Sequence, residues 1–406
     1  MQMDLLGAID YEGRVGEKEN KVDFELTDEQ RMLKESARKL MEREVVPFLE
    51  SFPEGQSLSF ENLQVLLRKL IPLGYLGNTI AEEYGGAGLD PLTYGLLMEE
   101  VDPSIFGLTM ITGAVAKSIE VMGNEDQKKR HIPHLLSAER IGCAGITEPN
   151  VGSNTAAIQT RAVLDGKHYI INGSKMWITN GSFADVCTLL ASIDPEKGYK
   201  GLGRFIVDKK VSPWEARPIP TMGDDGKIPA VGELIFEDCR VPKENMLGVP
   251  GEGLKETLIE FQTARCLVAI GSIIFAQRAI DAAIRYAKER TQFGRPIGQF
   301  QLIQDMIADM AALTDAAKLL TYRALAQVAK GVRCAKETSM AKFYATEAAV
   351  KVTSMAIQIH GAYGLSKEYP VERLFRGARM MTIPDGTTQI QKLIVARELL
   401  EMQAFV

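Results

Sequence analysis

A chain of 406 residues, 46% hydrophobic and 25% charged, is long enough for two or three domains with sizeable cores and has the balance of a globular protein. Its net charge of −6 argues against a general nucleic-acid binder, while leaving room for local basic residues to meet an anionic ligand such as a nucleotide. The five cysteines (Cys143, Cys187, Cys239, Cys266, Cys334) are scattered without a CxxC pair, and the histidine pair His131/His134 has no partners to complete a ligand set, so neither a disulfide framework nor a metal site is expected.

In chain order, Met1 to Lys21 carries charges and no sustained apolar run, and no later segment is expected to reach the length of a membrane span. A cytoplasmic protein is the expectation. From Thr27 to about Pro133 apolar residues recur at helical spacing, as in Gln30 to Leu40, broken by the glycine-rich stretch Tyr84 to Leu89. Asp90, just before Pro91, reads as a helix cap. From about Ile141 to Val241 the pattern changes to short β-rich runs: His168–Ile171, Lys175–Thr179, Val186–Ala191, Arg204–Val207 and Glu233–Phe236. Asp165-Gly166, Asn172-Gly173 and Asn180-Gly181 are the expected turns of a compact antiparallel domain. Beyond Gly253, long helical stretches run to Pro296 and then to about Val332, Tyr363 and Met381. The expectation is a mainly α protein with a β insert: an N-terminal helical domain over 22–138, a middle β domain over 139–247 and a C-terminal helical domain over 248–406.

Four segments carry candidate chemistry. The loop from Ile146-Thr147-Glu148 to Gly152-Ser153 is polar and glycine-bearing, so its backbone can approach a flat ligand; a plain connecting loop is the alternative. Trp177 and Thr179 stand two residues apart and share one face of a strand, an aromatic wall with a hydrogen bonder, although a lone Trp also serves as core filler. Arg290, Thr291 and Phe293 lie at a helix end before Pro296, where a guanidinium suits pyrophosphate and equally suits solvent. In Thr382-Ile383-Pro384-Asp385-Gly386-Thr387-Thr388-Gln389-Ile390-Gln391 a lone acid sits on a tight turn, with Thr387 or Thr388 placed to cap a helix running to Leu400. On the turn alone Asp385 is either a positioned base or an ordinary helix-start acid. No G-x-G-x-x-G follows a strand and no G-x-x-x-x-G-K-[ST] occurs, so a Rossmann or P-loop site is not supported.

Together these segments resemble the acyl-CoA dehydrogenase family of flavoproteins over nearly the whole chain. Ile146-Thr147-Glu148-Pro149 through Gly152-Ser153, Lys175 to Gly181, Arg290 to Gly294, Gln358-Ile359-His360-Gly361 and Asp385 to Gln391 follow one another in that family's order. The resemblance implies a helical domain, a β-barrel-like middle domain and a four-helix C-terminal domain, assembled as a homotetramer around FAD. It places the flavin at Ile146, Thr147, Gly152, Ser153, Trp177 and Thr179. Arg290, Thr291, Phe293 and Gln301 would meet the pyrophosphate and adenine part, and Gln358, Gly361, Thr387 and Gln389 would complete the site, some of them across a subunit interface. Arg265 and Ser153 are the implied substrate contacts for an acyl-CoA, and an electron-transfer flavoprotein is the implied acceptor.

The resemblance also implies that Asp385 removes the α-proton of an acyl-CoA thioester while the β-hydrogen passes as hydride to flavin N5, giving an enoyl-CoA. Burial of that carboxylate is expected to raise its pKa. Two departures bear on substrate. Most relatives carry Glu where Asp385 stands, a side chain longer by about 1.5 Å; the subgroup with its Glu on the preceding helix would place it at Ala264. Gln262 stands where many relatives have Asp. The short acid resembles that of alicyclic acyl-CoA dehydrogenases and of nitroalkane oxidases. Cyclohexanecarboxyl-CoA is therefore the leading substrate expectation. The alternatives are a nitroalkane-oxidase-like enzyme working without CoA, a cyclohexene-type 1,4-dehydrogenation with Asp90 as base, and a binding role without redox chemistry.

Overall fold

The protein is represented by a computed structural model that describes residues 25–53, 55–224, 226–228 and 231–404. The expectation for Met1 to Lys21 and the start of the 22–138 segment lie outside the described residues.

Among the described residues six α-helices form the first third: α1 (Asp28–Leu40), α2 (Val46–Glu50), α3 (Phe60–Leu70), α4 (Pro91–Met98), α5 (Phe106–Met122) and α6 (Glu125–Leu136). Their starts follow from local chemistry. Thr27 with Gln30 and Asn124 with Gln127 form reciprocal capping boxes at α1 and α6. Asp90 caps α4, accepting the N–H groups of Leu92 at 2.9 Å and Thr93 at 3.1 Å. Helix α5 buries most of its length and carries the first third onto the remainder of the molecule.

Eight strands follow among the described residues: β1 (Gly142–Gly145), β2 (Arg161–Asp165), β3 (His168–Thr179), β4 (Val186–Ser192), β5 (Leu202–Asp208), β6 (Glu215–Pro218), β7 (Val231–Pro242) and β8 (Met246–Leu247). They form one sheet in the order β6-β7-β3-β2-β4-β5-β8, with β1 paired to β4. Two expectations need correction. The sheet is not wholly antiparallel, because β1 runs parallel to β4 and β2 meets β4 in parallel at Arg161 and Ser192. Asn172-Gly173 is not a turn but an irregularity inside the continuous strand β3. Asn172 there exchanges hydrogen bonds with Asp238 on β7, at 3.1 and 2.8 Å. Gly173 is required because a Cβ at φ +147° would sit 2.8 Å from the Thr160 backbone. The other two dipeptides do turn the chain: Asp165-Gly166 leads from β2 into β3, and Asn180-Gly181 closes β3.

The last third holds α7 (Gly253–Glu289), the two-stranded hairpin β9 (Thr291–Gln292) and β10 (Arg295–Pro296), then α8 (Gln301–Ala329), α9 (Ala335–His360), α10 (Val371–Met380) and α11 (Thr388–Leu400). Helix α9 is central, with α7, α8, α10 and α11 all packed on it. Its buried Ala341, Ala345, Ala348, Ala349 and Ala356 let those neighbours approach closely. The expectation that no segment has the length of a membrane span is corrected by α7: an 18-residue window of it reaches a mean hydropathy of 1.6, and 67% of that window is buried inside the protein. A helix apolar on every side is what the centre of a large bundle demands.

Candidate active site

The turn before α11 holds Asp385 and is clamped by side chains from α9 and α11. Asp385 has φ +54° and Gly386 φ +95°, so the acid stands in the left-handed region rather than in the first turn of the helix. Thr387 takes the capping role, its hydroxyl accepting the Ile390 N–H at 3.4 Å. The turn is held by its carbonyls. The Lys342 ammonium donates to Thr382 O at 3.0 Å and Gly386 O at 2.9 Å; the Gln391 amide donates to Asp385 O at 2.9 Å and Gly386 O at 3.0 Å. Among the described residues no protein acceptor takes the N–H of Asp385, and no protein donor reaches its carboxylate.

Asp385 is half-buried; its removal from water pushes the carboxyl up from the ordinary Asp range, and the positive charges of Lys342 and Arg265 pull partly against it. Burial also lowers both cations, Lys342 to about 8, while Asp385 counteracts the shift in each. Arg265 on α7 is 5% exposed, and among the described residues its Nε has no hydrogen-bond partner. A buried guanidinium with a spare donor beside a raised carboxyl is set up for a polar ligand. Gln262 does something else: its Oε1 accepts the Cys334 N–H at 2.9 Å, just ahead of α9. Ala264, beside Arg265, has no ionisable group to offer.

A second cluster forms on the sheet. The Lys175 ammonium donates to Ile146 O and Glu148 Oε1, both at 2.9 Å, and the Glu148 carboxylate also accepts the N–H groups of Gln159 at 2.7 Å and Thr160 at 2.8 Å. These bonds fix the Ile146-Thr147-Glu148 loop against β3, with Met176 N–H donating to Thr147 O at 2.9 Å. Glu148, with several donors, sits below its usual pKa; Lys175, wholly enclosed, is pushed down to about 8 because one carboxylate does not offset its burial. Between Lys175 and Ile178 the register slips, Trp177 takes φ +63°, and its indole is left 58% exposed. A bulky residue held in that backbone region at the surface is a strained display, not core packing.

The two clusters meet through the start of α5. A Cβ on Gly107 would lie 3.2 Å from the Thr179 methyl, and one on Gly271 of α7 would lie 2.7 Å from both Phe106 and Met381. Thr179, Gly107, Phe106, Met381 and the Thr382–Asp385 turn therefore form one continuous line. Ile146, Thr147, Thr179 and Thr387 are half-buried, and Gly152, Ser153 and Gln389 are exposed. The hydroxyls of Thr147 and Thr179 bind no protein partner among the described residues. A displayed indole flanked by two spare hydroxyls fits a flat, polar-edged flavin.

The remaining expected residues lie elsewhere. Arg290 is roughly 25 residues further along α7 than Arg265, about 38 Å at the helical rise. There its guanidinium sits over the Tyr363 ring at 5.5 Å, just past Gly361. Phe293 is 89% exposed at the tip of the β9–β10 hairpin and edges against Phe300, which precedes Gln301. Thr291, Gln301, Gln358 and Gly361 are all exposed. Within one protomer this group does not join the Trp177 and Asp385 group. Two surface grooves, of about 660 Å³ between α1 and α3 and about 690 Å³ between α8, α9 and α10, touch neither.

Sequence reasoning missed Lys342, Gln391 as a clamp, and the stacking of Tyr286 on His360 at 4.3 Å beneath the Arg290 region. The strongest available signal was Lys342 itself, a cation in the apolar run Ser339 to Ala345.

A helical, β and helical arrangement with a displayed aromatic, spare hydroxyls and a raised carboxyl fits the FAD-dependent oxidoreductase that the sequence resemblance implies. Comparison with known proteins makes the class definite. Family profiles match over the chain in order: "Acyl-CoA dehydrogenase, N-terminal domain" at residues 27–139, "middle domain" at 143–239 and "C-terminal domain" at 251–400. A short-chain specific acyl-CoA dehydrogenase of Clostridium acetobutylicum is 36% identical over 381 residues, 92% of this chain and 99% of that one. The caffeyl-CoA reductase-Etf complex subunit CarC of Acetobacterium woodii is 35% identical over 384 residues, 92% and 99% of the two chains. The solved glutaryl-coenzyme A dehydrogenase glutaryl-CoA complex superposes with a TM-score of 0.88 at 36% identity, covering 94% of this chain and 97% of that one. The chain belongs to the acyl-CoA dehydrogenase family.

Proposed function

We propose that this protein dehydrogenates an acyl-CoA thioester between its α and β carbons, with Asp385 as the base. The observation that carries the reading is the Asp385 turn: a raised carboxyl whose oxygens, like the residue's own N–H, have no protein hydrogen-bond partner among the described residues, beside two buried cations. The carboxylate takes the α-proton as the Cα–H bond breaks. The Asp385 N–H donates to the thioester carbonyl, where negative charge develops. When bound, FAD supplies the two-electron acceptor for the β-hydrogen, so oxidation to the enoyl-CoA and cofactor reduction balance. Ile146, Thr147, Gly152, Ser153, Trp177 and Thr179 would hold the cofactor from one side, with Thr387 and Gln389 beside the base. Arg290, Thr291, Phe293, Gln301, Gln358 and Gly361 would hold it from another copy. Arg265, buried beside Asp385, would act at the reacting end of the thioester, and Ser153 along its arm.

The same reading takes the division 22–138, 139–247 and 248–406, a cytoplasmic homotetramer and an electron-transfer flavoprotein as acceptor; the separation of the two residue groups along α7 supports more than one copy per site, and the Etf in the CarC relative's name supports the acceptor. For the acyl group the short base supports a ring-bearing or α-branched thioester of the cyclohexanecarboxyl-CoA kind. The relatives' names instead point to short-chain, glutaryl and caffeyl groups. Asp90 is engaged as the α4 cap, which supports Asp385 as the base.

Anaerobic bleaching of the flavin separates these. Butyryl-, octanoyl-, glutaryl-, isobutyryl-, cyclohexanecarboxyl- and cyclohexenecarboxyl-CoA are compared, together with a nitroalkane. Asp385→Asn is expected to bind thioester without bleaching, and a bleaching variant would remove the base from Asp385. Preference for straight chains would remove the cyclic substrate, and bleaching by the nitroalkane alone would remove CoA.

A further inference from the structure

Lys342 lies in the first third of α9, with no exposed surface, and no expected motif includes it. Its ammonium bridges Thr382 O at 3.0 Å and Gly386 O at 2.9 Å, carbonyls on either side of Asp385. Gln391 closes the same turn from α11 with a neutral amide, through Asp385 O and Gly386 O. Together the two side chains draw three carbonyls of the turn into the protein while the Asp385 N–H stays unused.

A neutral donor suffices to tie a carbonyl, as Gln391 demonstrates. Burying an ammonium costs several kcal/mol without a tightly paired anion. Among the described residues no anion pairs with it: no Asp385 oxygen lies within the 4.0 Å of an ion pair from Lys342 or Arg265. The charge reaches the carboxylate across a gap, stabilising its ionised form without occupying its oxygens. A direct salt bridge would stabilise the anion more and would block it as a base.

We propose that Lys342 is a positioning residue for the reaction, holding the Asp385 turn left-handed and keeping its carboxylate ionised yet unbonded. The inference rests on the reading of Asp385 as the base. The charged groups around the turn are Lys342 and Glu347 from α9, Arg265 from α7, Arg379 from α10 through Thr382 Oγ1, and Arg397 from α11. Of these, Lys342 and Arg265 are the two that act on Asp385, both stabilising its anion. Removing the Lys342 charge therefore raises the pH at which Asp385 ionises.

The test compares wild type with Lys342→Met and Lys342→Arg, each as FAD-loaded full-length protein, by anaerobic stopped-flow flavin reduction from pH 5 to 9 with the best thioester of the panel. For Lys342→Met the expected result is a drop in the reduction rate of about 10- to 100-fold near neutral pH, with KM changed much less and the acid limb of the pH profile moved upward. Lys342→Arg, which keeps the charge, is expected to hold the limb near its wild-type position while losing rate through altered geometry. A Lys342→Met enzyme with an unmoved limb overturns the proposal. Failure of both variants to fold or retain FAD makes Lys342 a structural residue and overturns it equally. An active Asp385→Asn enzyme, measured alongside, marks failure of the base assignment itself, which is a different result from an unmoved limb in Lys342→Met.

Discussion

Lys175→Met isolates the bond set that pins the Ile146–Glu148 loop to β3. The substitution keeps most of the side-chain volume and deletes an ammonium that makes two hydrogen bonds at 2.9 Å, one of them to Glu148. Glu148, 4% exposed, is then a buried carboxylate left with the Gln159 and Thr160 N–H groups alone. Breaking a buried ion pair from one side costs about 3–5 kcal/mol, and the two surviving backbone donors place this case at about 3 kcal/mol. Both tryptophans, Trp177 and Trp214, belong to the sheet region, so intrinsic fluorescence during urea unfolding reports on it directly. The double variant Lys175→Met/Glu148→Gln removes the orphaned charge and is expected to recover part of the loss. A single variant within about 1 kcal/mol of wild type, or a double variant no more stable than the single, would refute the argument that the pair is an energetic unit.

Further outcomes follow from the same geometry. Lys175 and Lys342 are both lowered to about 8 from 10.5, so the folded chain binds fewer protons than the unfolded chain between those values. Stability should accordingly rise as pH climbs from about 8 to 10.5, and Lys175→Met should flatten that rise in thermal melts. Because the Asp385 carboxyl is raised, flavin reduction should lose its base, as pH falls, above the usual Asp range; a limb at or below that range would contradict the burial of the group. Asp90→Ala should cost about 1 kcal/mol through the lost α4 cap and leave turnover unchanged, whereas a large drop in turnover would return Asp90 to the chemistry. Trp177→Gly should relieve backbone strain and lower FAD content at once, measured by the flavin-to-protein absorbance ratio.

The periodicity of Gln30 to Leu40 and of the runs beyond Gly253 made the helical thirds legible, because a buried stripe repeats wherever a helix packs. Asn172-Gly173 misled because the same dipeptide that reverses a chain also permits a bulge, and only the approach of Thr160 and the pairing with Asp238 decide between them. Hairpin β9–β10 went unseen since two-residue strands have no alternation to read, although the positive φ values at Phe293 and Gly294 give its turn. Asp385 was visible from its turn residues. Lys342 was not: it contacts carbonyls some 40 residues away, and helical spacing cannot say whether a lone cation in an alanine-rich run faces water or a second segment. Trp177 was found as an aromatic, but its outward display depends on a register slip that leaves no mark in composition.

The span of α7 between Arg265 and Arg290 carries a genetic corollary. If each cofactor bridges two chains, a subunit crippled at Trp177 and another crippled at Arg290 are each dead alone, yet a mixed pair contains one pocket bearing both lesions and one bearing neither. Co-expression would then restore colour and turnover that neither parent shows, and two lesions on the same side of the divide, Trp177 with Thr179, would never complement.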